Sequence, residues 1–300
     1  MPAPDGPTIP VVVIHRNRPE RLVSTIEALR AQTVPVRIIL VDSGSTPEAH
    51  AAALDLLPDD SVVVQMGDNG GFGPSANAGW RRFLADGRGE EWVGLCPHDA
   101  LPDPDAIERI LDAVASRPRA GLACGDFGDG TTPVVDPYFG GIQVPATVDE
   151  GWDPAGYPHG TLLFARRGFL EDVGLFDEDY FAYCEEADLG LRAHEAGWEV
   201  GLVRGARVHN PDMSNTMPVV DYLMVRNTLV LVRRWSGRYK AFIRFVMAGY
   251  QIVTERRTNP YHDTRARLAA LHDFLRGRVG PPPDALVARP ADRALPRPAA

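Results

Sequence analysis

The chain reads as an α/β protein: a Rossmann-like, mostly parallel central sheet flanked by helices, with a C-terminal helical extension. Three observations predict this. Three short apolar, β-branched runs alternate with helix-spaced segments within roughly the first 65 residues, the rhythm of strands joined by crossover helices. Polar residues with useful chemistry fall straight after those runs, where open α/β sheets bind their ligands. After residue 218 the strand rhythm stops and apolar positions recur at helical spacing only.

Ile9 to Ile14, IPVVVI, is the first strand, closed by the turn His15-Arg16-Asn17-Arg18-Pro19. Residues 20–31 place Leu22, Ile26 and Leu29 on one helical face. Arg37 to Val41 is the second strand, ended by Asp42-Ser43-Gly44-Ser45; residues 47–57 read as helix and Val62 to Gln65 as the third strand. Asp42 at a strand end suits bonds to a ribose or a base, and equally a helix cap or turn. The stretch from Asp68 to Gly79, DNGGFGPSANAG, carries glycines that let backbone pass close to a ligand. It is neither a GxGxxG fingerprint after the first strand nor a GxxxxGK[ST] phosphate loop. Glu91 to Leu95 is a fourth strand, followed by Cys96-Pro97-His98-Asp99. His98 and Asp99 are adjacent donors suited to a diphosphate with its divalent cation, or to an ordinary turn. Residues 104–116 form an amphipathic helix with Ile107, Ile110, Leu111 and Val114 inward, and residues 120–124 a fifth strand.

Residues 125–158 are rich in Gly and Pro and weakly periodic, which predicts a long functional loop or lid. Trp152 and Tyr157 in it, with His159 at its rim, offer flat surface to an acceptor. Gly160 to Ala165 is a strand. Residues 177–209, DEDYFAYCEEADLGLRAHEAGWEVGLVRGARVH, organise the chain. A helix starts near Glu185 or Glu186, turns Leu189 and Leu191 inward and stops at Gly197; Trp198 to Val203 is a strand and His209 follows. Carboxylates at a helix start are stabilised by the free amides there and held to face a reacting group. A solvated acidic turn is the plain alternative. Residues 219–234, 239–254 and 264–278 read as helices. Six prolines in residues 281–300 predict a disordered tail. The expected organisation is a catalytic domain over 1–218, with a nucleotide-sugar half at about 9–124 and an acceptor half at about 125–218, then the extension over 219–280.

Composition bounds the function. The chain has 300 residues, 44% of them hydrophobic, and a net charge of −9. Cys96, Cys124 and Cys184 are odd in number and far apart, which predicts neither a disulfide framework nor a metal knuckle, but reduced thiols in a cytoplasmic protein. No stretch reads as a signal peptide or a spanning helix. Residues 225–300 carry 15 Arg or Lys against 5 Asp or Glu. No recognition motif accompanies these arginines, so nucleic acid is not an expected partner. Peripheral contact with an anionic membrane at its inner face, or a homo-oligomer contact, through residues 225–278 is.

Taken together, the segments resemble one family. RIILVDSGST, DNGGFGPSANAG, GTLLFARRGFLEDVGLFDEDYFAYCEEADLGLRAHEAGWEV, ARVHNPDMSN and LMVRNTLVLVRR are similar, in order and spacing, to an inverting family 2 glycosyltransferase of the GT-A fold, rhamnosyltransferase-like branch. The resemblance runs from about Val11 to Gly280. It implies a nucleotide-sugar site built from His15, Asp42, Asn69, Gly71, Asn77, His98 and Asp99, with Asp42 at the base. It implies Mn²⁺ or Mg²⁺ held by Asp99 and His209. It places Glu186 as catalytic base, with Glu185 as the fallback and Asp188 structural or orienting, and Trp152, Tyr157 and His159 on the acceptor side. Two departures stand out: Pro97-His98-Asp99 where the family has a DxD-like triplet, and Glu185-Glu186 where it has Glu-Asp.

The implied chemistry is direct displacement at the anomeric carbon of a sugar nucleotide. A cation or cationic side chains absorb charge on the leaving diphosphate, while a carboxylate takes the acceptor proton. Rhamnose on a thymidine nucleotide is the branch-level donor, with UDP-linked hexoses open; glycans, lipid-linked glycans and small natural products are the acceptor classes. Two alternatives stay open from sequence. One is a sugar-phosphate nucleotidyltransferase, although residues 15–19 lack the glycines its phosphate loop needs. The other is a degenerate, non-catalytic binding or scaffold subunit.

Overall fold

The computed structural model describes residues 8–210, 217–255, 258 and 262–287. The described residues fall into two compact units. One takes them from Met1–Val135, Ile142–Asp177 and Glu185–Asp212; the other takes them from Asp136–Gly141, Glu178–Cys184 and Met213–Ala300.

The first unit follows the alternating pattern. β1 (Ile9–His15), α1 (Pro19–Arg30), β2 (Val36–Ser43), α2 (Pro47–Leu54), β3 (Val62–Met66), α3 (Phe72–Ala85) and β4 (Trp92–Pro97) come in turn. β5 (Leu101–Pro102), α4 (Ala106–Ala115) and β6 (Ala120–Asp126) follow. Pro19 opens α1, where a missing N–H costs nothing. Thr46 caps α2 by accepting the Ala49 N–H. The segment expected as a lid is instead largely strand: β7 (Thr131–Asp136), β8 (Gly140–Pro145) and β9 (Gly151–Pro154). β7 pairs with β8, and β9 joins the main sheet beside the last long strand. β10 (Leu163–Arg166), α5 (Arg167–Val173), α6 (Glu185–Glu195) and β11 (Glu199–His209) complete the series.

The main sheet runs β3-β2-β1-β4-β10-β6-β11-β5, with β9 on β11. β3, β2, β1 and β4 are mutually parallel, as are β6 and β11, while β10 runs antiparallel between β4 and β6. Side chains alternate across β1. Val11 and Val13 pack with Leu22, Ile26, Ile107 and Ile110 under α1 and α4. Val12 and Ile14 pack with Trp80, Phe83, Phe169 and Leu189 under α3, α5 and α6. Both faces are covered, which is why these strands read as continuous apolar runs. Leu189 is buried as expected, whereas Leu191 is only half-buried.

The segment 125–158 is held by a buried fork. Arg204 on β11 donates to Asp153 at 2.8 Å and to Asp126 at 3.3 Å, and Asp153 also accepts from the Thr132 and Thr147 hydroxyls. A buried guanidinium is tolerated because its donors meet carboxylates. These partners lie far apart in sequence, so local composition reads as loop.

The second unit carries α7 (Met217–Trp235), α8 (Gly237–Thr254), α9 (Thr264–Leu275) and α10 (Asp284–Val287). Arg267 of α9 bonds Asp221 of α7, and Tyr222 donates to Asp273 at 2.9 Å. Residues 284–287 of the expected disordered tail are helical; residues 288–300 lie outside the described residues, as do 211–216 of the late histidine segment. Among the described residues, no helix is long and apolar enough to cross a membrane.

Candidate active site

The carboxyl ends of β2, β1 and β4 assemble the first half of the site. Parallel register sets His15 opposite Asp42. His98, just past β4, donates its Nδ1–H to the Ile14 carbonyl oxygen at 3.2 Å. The His15 and His98 rings meet edge to face with centroids 5.6 Å apart. Both are buried, and among the described residues neither nitrogen of His15, nor Nε2 of His98, has a protein partner. Burial, reinforced by His98, pulls His15 down to about 4. Burial also lowers His98, against the pull of Asp99. At neutral pH the pair is therefore uncharged: His15 offers one N–H donor and one acceptor, and His98, its Nδ1–H engaged by Ile14, offers Nε2 as an acceptor.

Asp42 is turned inward. It accepts the Ser45 N–H at 2.8 Å and meets His50 Nδ1 at 2.5 Å, so its carboxylate shapes the turn after β2. Gly44 in that turn has φ +72°, and a Cβ there would stand 2.6 Å from the Asp68 backbone. The close approach lets this turn and the DNGG stretch abut. Asn69 accepts the Gly71 N–H, and Gly71, at φ +84°, enters α3 without a side-chain cap. The second half of DNGGFGPSANAG is thus helix rather than loop. Asn77 lies inside it, buried, and bonds the backbone of Phe176 both ways at 2.9 Å. Its amide braces the connection between α5 and α6.

The second half of the site is the start of α6. Glu185 is buried against Gly73 in the first turn of α3. Glu186 accepts the Gly160 N–H and one at its own helix start, and burial pushes its carboxyl up to about 7. Gly160 sits so close that a Cβ would stand 2.8 Å from Glu186 Oε1 and 2.6 Å from the Phe72 ring. Phe72 continues directly from Asn69–Gly71, so the expected base and the glycine stretch converge. Asp188 is buried and bonded to Arg192 at 2.9 Å, an i,i+4 pair within α6.

The acceptor-side residues divide. Tyr157 packs on Gly190 of α6. His159 bonds the Gly125 carbonyl at 2.7 Å and stacks on Phe127, and burial lowers it to about 4. Trp152 is half-buried, its indole on Gly201 and beneath the Arg117 guanidinium, packed against the core. β9 pairing with β11 puts it there.

The expected metal ligands are on one edge but do not converge. β5–β11 pairing sets His209 opposite Leu101. His209 Nε2 then meets Asp103 at 3.2 Å, while Asp99 accepts from Asn210 at 3.4 Å. Among the described residues no three His, Cys, Asp or Glu side chains are gathered to hold a metal ion. One carboxylate and one imidazole suit a divalent cation that arrives with a diphosphate, rather than one held by protein alone. Asp103 is an acid at this edge that the sequence did not single out.

Residues 11–173, more than half of the chain, match the family described as Glycosyl transferase family 2. The chain belongs to this family. The transferase is 29% identical over 278 residues to the N-acetylglucosaminyl-diphospho-decaprenol L-rhamnosyltransferase of Mycobacterium tuberculosis, covering 80% of this chain and 89% of that one. It is 25% identical over 264 residues to the O-antigen biosynthesis protein RfbC of Myxococcus xanthus, covering 79% of this chain and 20% of that protein. Its fold is similar to GalNAc-T7 with UDP, GalNAc and Mn²⁺, at TM-score 0.61 and 15% identity, over 90% of this chain and 56% of that one. It is also similar to the mannosyltransferase PcManGT from Pyrobaculum calidifontis with GDP-Man and Mn²⁺, at TM-score 0.56 and 16% identity, over 90% and 87%. The fold is therefore GT-A, and the transferase is a rhamnosyltransferase-like glycosyltransferase rather than a nucleotidyltransferase or a bare scaffold.

In the second unit, the transferase holds a loop that sequence reasoning passed over. Phe181, Tyr183 and Cys184, which run directly into Glu185, have φ between +66° and +76°, conformations that strain side-chain-bearing residues. Asn227 Nδ2 donates to the carbonyl oxygens of Tyr180, Ala182 and Tyr183 at 2.8–2.9 Å, with Arg226 also on Tyr180. The available signal was a buried-looking Arg226-Asn227 pair inside an otherwise apolar helical run.

Proposed function

We propose that the transferase moves a rhamnose-type deoxysugar from a thymidine diphosphate donor, or another sugar from a UDP donor, to a hydroxyl of an N-acetylglucosamine carried on a lipid diphosphate, with inversion. The likeness to the mycobacterial rhamnosyltransferase along nearly its whole length supports the donor and acceptor classes. A lipid-linked acceptor would place the reaction at the cytoplasmic face of a membrane. One observation carries the mechanism: Glu186, raised to about 7, lies beside Gly160 and Phe72 where the glycine stretch enters α3. A carboxylate with that affinity is matched to proton abstraction near neutral pH.

In this reading the acceptor oxygen attacks the anomeric carbon and its proton passes to Glu186. The bond to the diphosphate oxygen breaks, and the electron pair leaves with the nucleoside diphosphate. No glycosyl-enzyme forms. His15 and His98, buried and uncharged with unfilled hydrogen-bonding nitrogens, orient donor oxygens at the strand ends. The turn shaped by Asp42 and the stretch Asn69–Gly71 border the nucleotide. Tyr157 and His159 border the acceptor. A divalent cation, held by Asp99, His209 and the diphosphate, would neutralise charge on the leaving group. Turnover with a panel of dTDP- and UDP-sugars on a short-chain N-acetylglucosaminyl diphosphate lipid, with the anomeric configuration of the product read by NMR, tests this. Transfer from a dTDP-deoxysugar with inversion is expected. Transfer with retention, or no transfer from any donor, overturns it.

A further inference from the structure

α8 is built the wrong way round for a helix that only supports a fold. Its buried side chains are alanines, Ala241 and Ala248. Ile243, Phe245, Met247 and Ile252 are half-buried, but five further large residues, Tyr239, Phe242, Val246, Tyr250 and Val253, are 53–78% exposed. At 100° per residue these five fall within an arc of about 80°, opposite the two alanines, and extend about 21 Å along the axis. Solvent-facing aromatic and branched residues in one unbroken stripe mark a surface meant to be covered. Beside the stripe lies a groove of about 380 Å³ lined by Phe242, Phe245, Phe274 and Leu275 together with Arg233 and Arg238.

We infer that this face of α8 and α9 docks on an anionic lipid bilayer. Charge selects the occupant. α8 contains Arg238, Lys240 and Arg244 and no acidic residue. Nearby acids are engaged within the unit: Asp221 and Glu255 bond Arg267, and Asp273 bonds Tyr222 and Arg278. A second copy docking by the same patch would set arginine against arginine, because a two-fold interface must complement itself. Anionic headgroups complement the arginines while the stripe enters the acyl boundary, the arrangement of an interfacial helix lying in the membrane plane. Tyrosines carry a polar tip on an apolar body, which suits that depth.

The inference does not depend on which sugar is transferred, and the test keeps the two apart. The full chain is floated with vesicles of phosphatidylglycerol and phosphatidylcholine in equal parts, and with phosphatidylcholine alone, at low and high salt. The expected result is binding to the anionic vesicles only, released by salt as the charge attraction is screened. Phe242→Ser with Val246→Ser, and separately Arg233→Glu with Arg238→Glu, each weaken binding by about tenfold or more. Both variants keep the wild-type melting temperature and turnover on a water-soluble acceptor. A wild-type chain that ignores anionic vesicles at low salt overturns the inference. So does a wild-type dimer in light scattering that the Phe242/Val246 variant turns into monomer.

Discussion

At the scale of the residue, Glu186 concentrates the chemistry. Desolvation, opposed by two backbone N–H donors, sets its carboxyl near 7. A base works deprotonated, so kcat/KM should rise with pH through about 7 and level off above it. Glu186→Gln should remove that rising limb and lower kcat by about 10²–10⁴, while calorimetry returns an unchanged donor affinity. The folded pKa lies above the unfolded value of 4.5, so the stability it contributes is full below about 4.5 and lost as pH rises through about 7. The Gln variant should therefore melt higher than wild type above pH 7, a readout independent of turnover. A pH profile of the variant that keeps the wild-type limb would remove Glu186 from the role. Glycine at 160 belongs to the same argument, since any Cβ there would collide with Glu186 and Phe72.

At the scale of the element, the start of α6 depends on the strained loop before it. Three left-handed, non-glycine residues in four positions persist only when something over-determines them. Asn227 does so with one nitrogen aimed at three carbonyls. Asn227→Ala leaves buried acceptors without their donor and should cost about 1–3 kcal/mol of stability. Because the loop continues into Glu185 and Glu186, kcat should fall more than donor KM rises. Denaturant unfolding and steady-state kinetics together decide it; an unchanged kcat with lowered stability would leave Asn227 a purely structural residue. How much of each element was legible differed with the range of its causes. α1, α2, α4, α6 and the strands from β1 to β4 follow from local periodicity and turn signals, whereas α3 did not, because the glycines and proline at its start read as loop. β7 to β9 did not, because the Arg204 fork that holds them draws on residues 51 to 78 positions away.

At the scale of the whole molecule, closure of the sheet edge joins residues more than a hundred positions apart. β11 lies antiparallel to β5, so His209 and Asp99 share an edge although His209 now turns to Asp103. The ligand set is thin, and Mn²⁺ should bind weakly to the protein alone and firmly once a nucleoside diphosphate supplies further oxygens. Imidazole also suits Mn²⁺ better than Mg²⁺. Loss of the free-ion electron paramagnetic resonance signal should need nucleotide in wild type, and should fail in Asp99→Ala and His209→Ala even with nucleotide. Full turnover in chelator, together with no nucleotide-dependent Mn²⁺ binding, would overturn the cation assignment and leave the transferase standing.

The sequence by itself determined the α/β class, the strands β1 to β4 and β6 with the helices α1, α2 and α4, the helix opening at Glu185–Glu186 and the resemblance that the family match bears out. These rest on periods of 2 and 3.6, on caps and on ordered motifs, all of which are local or linear. Tertiary structure alone decided what the individual polar groups do. Asn77 braces Phe176, Trp152 packs on Gly201 and beneath Arg117, Asp42 is satisfied by Ser45 and His50, and α8 turns Tyr239, Phe242 and Tyr250 outward. A hydrogen bond or a buried face is settled by the group that arrives across the fold, and the identity of that group is set by which strands and helices pair, not by the neighbours along the chain.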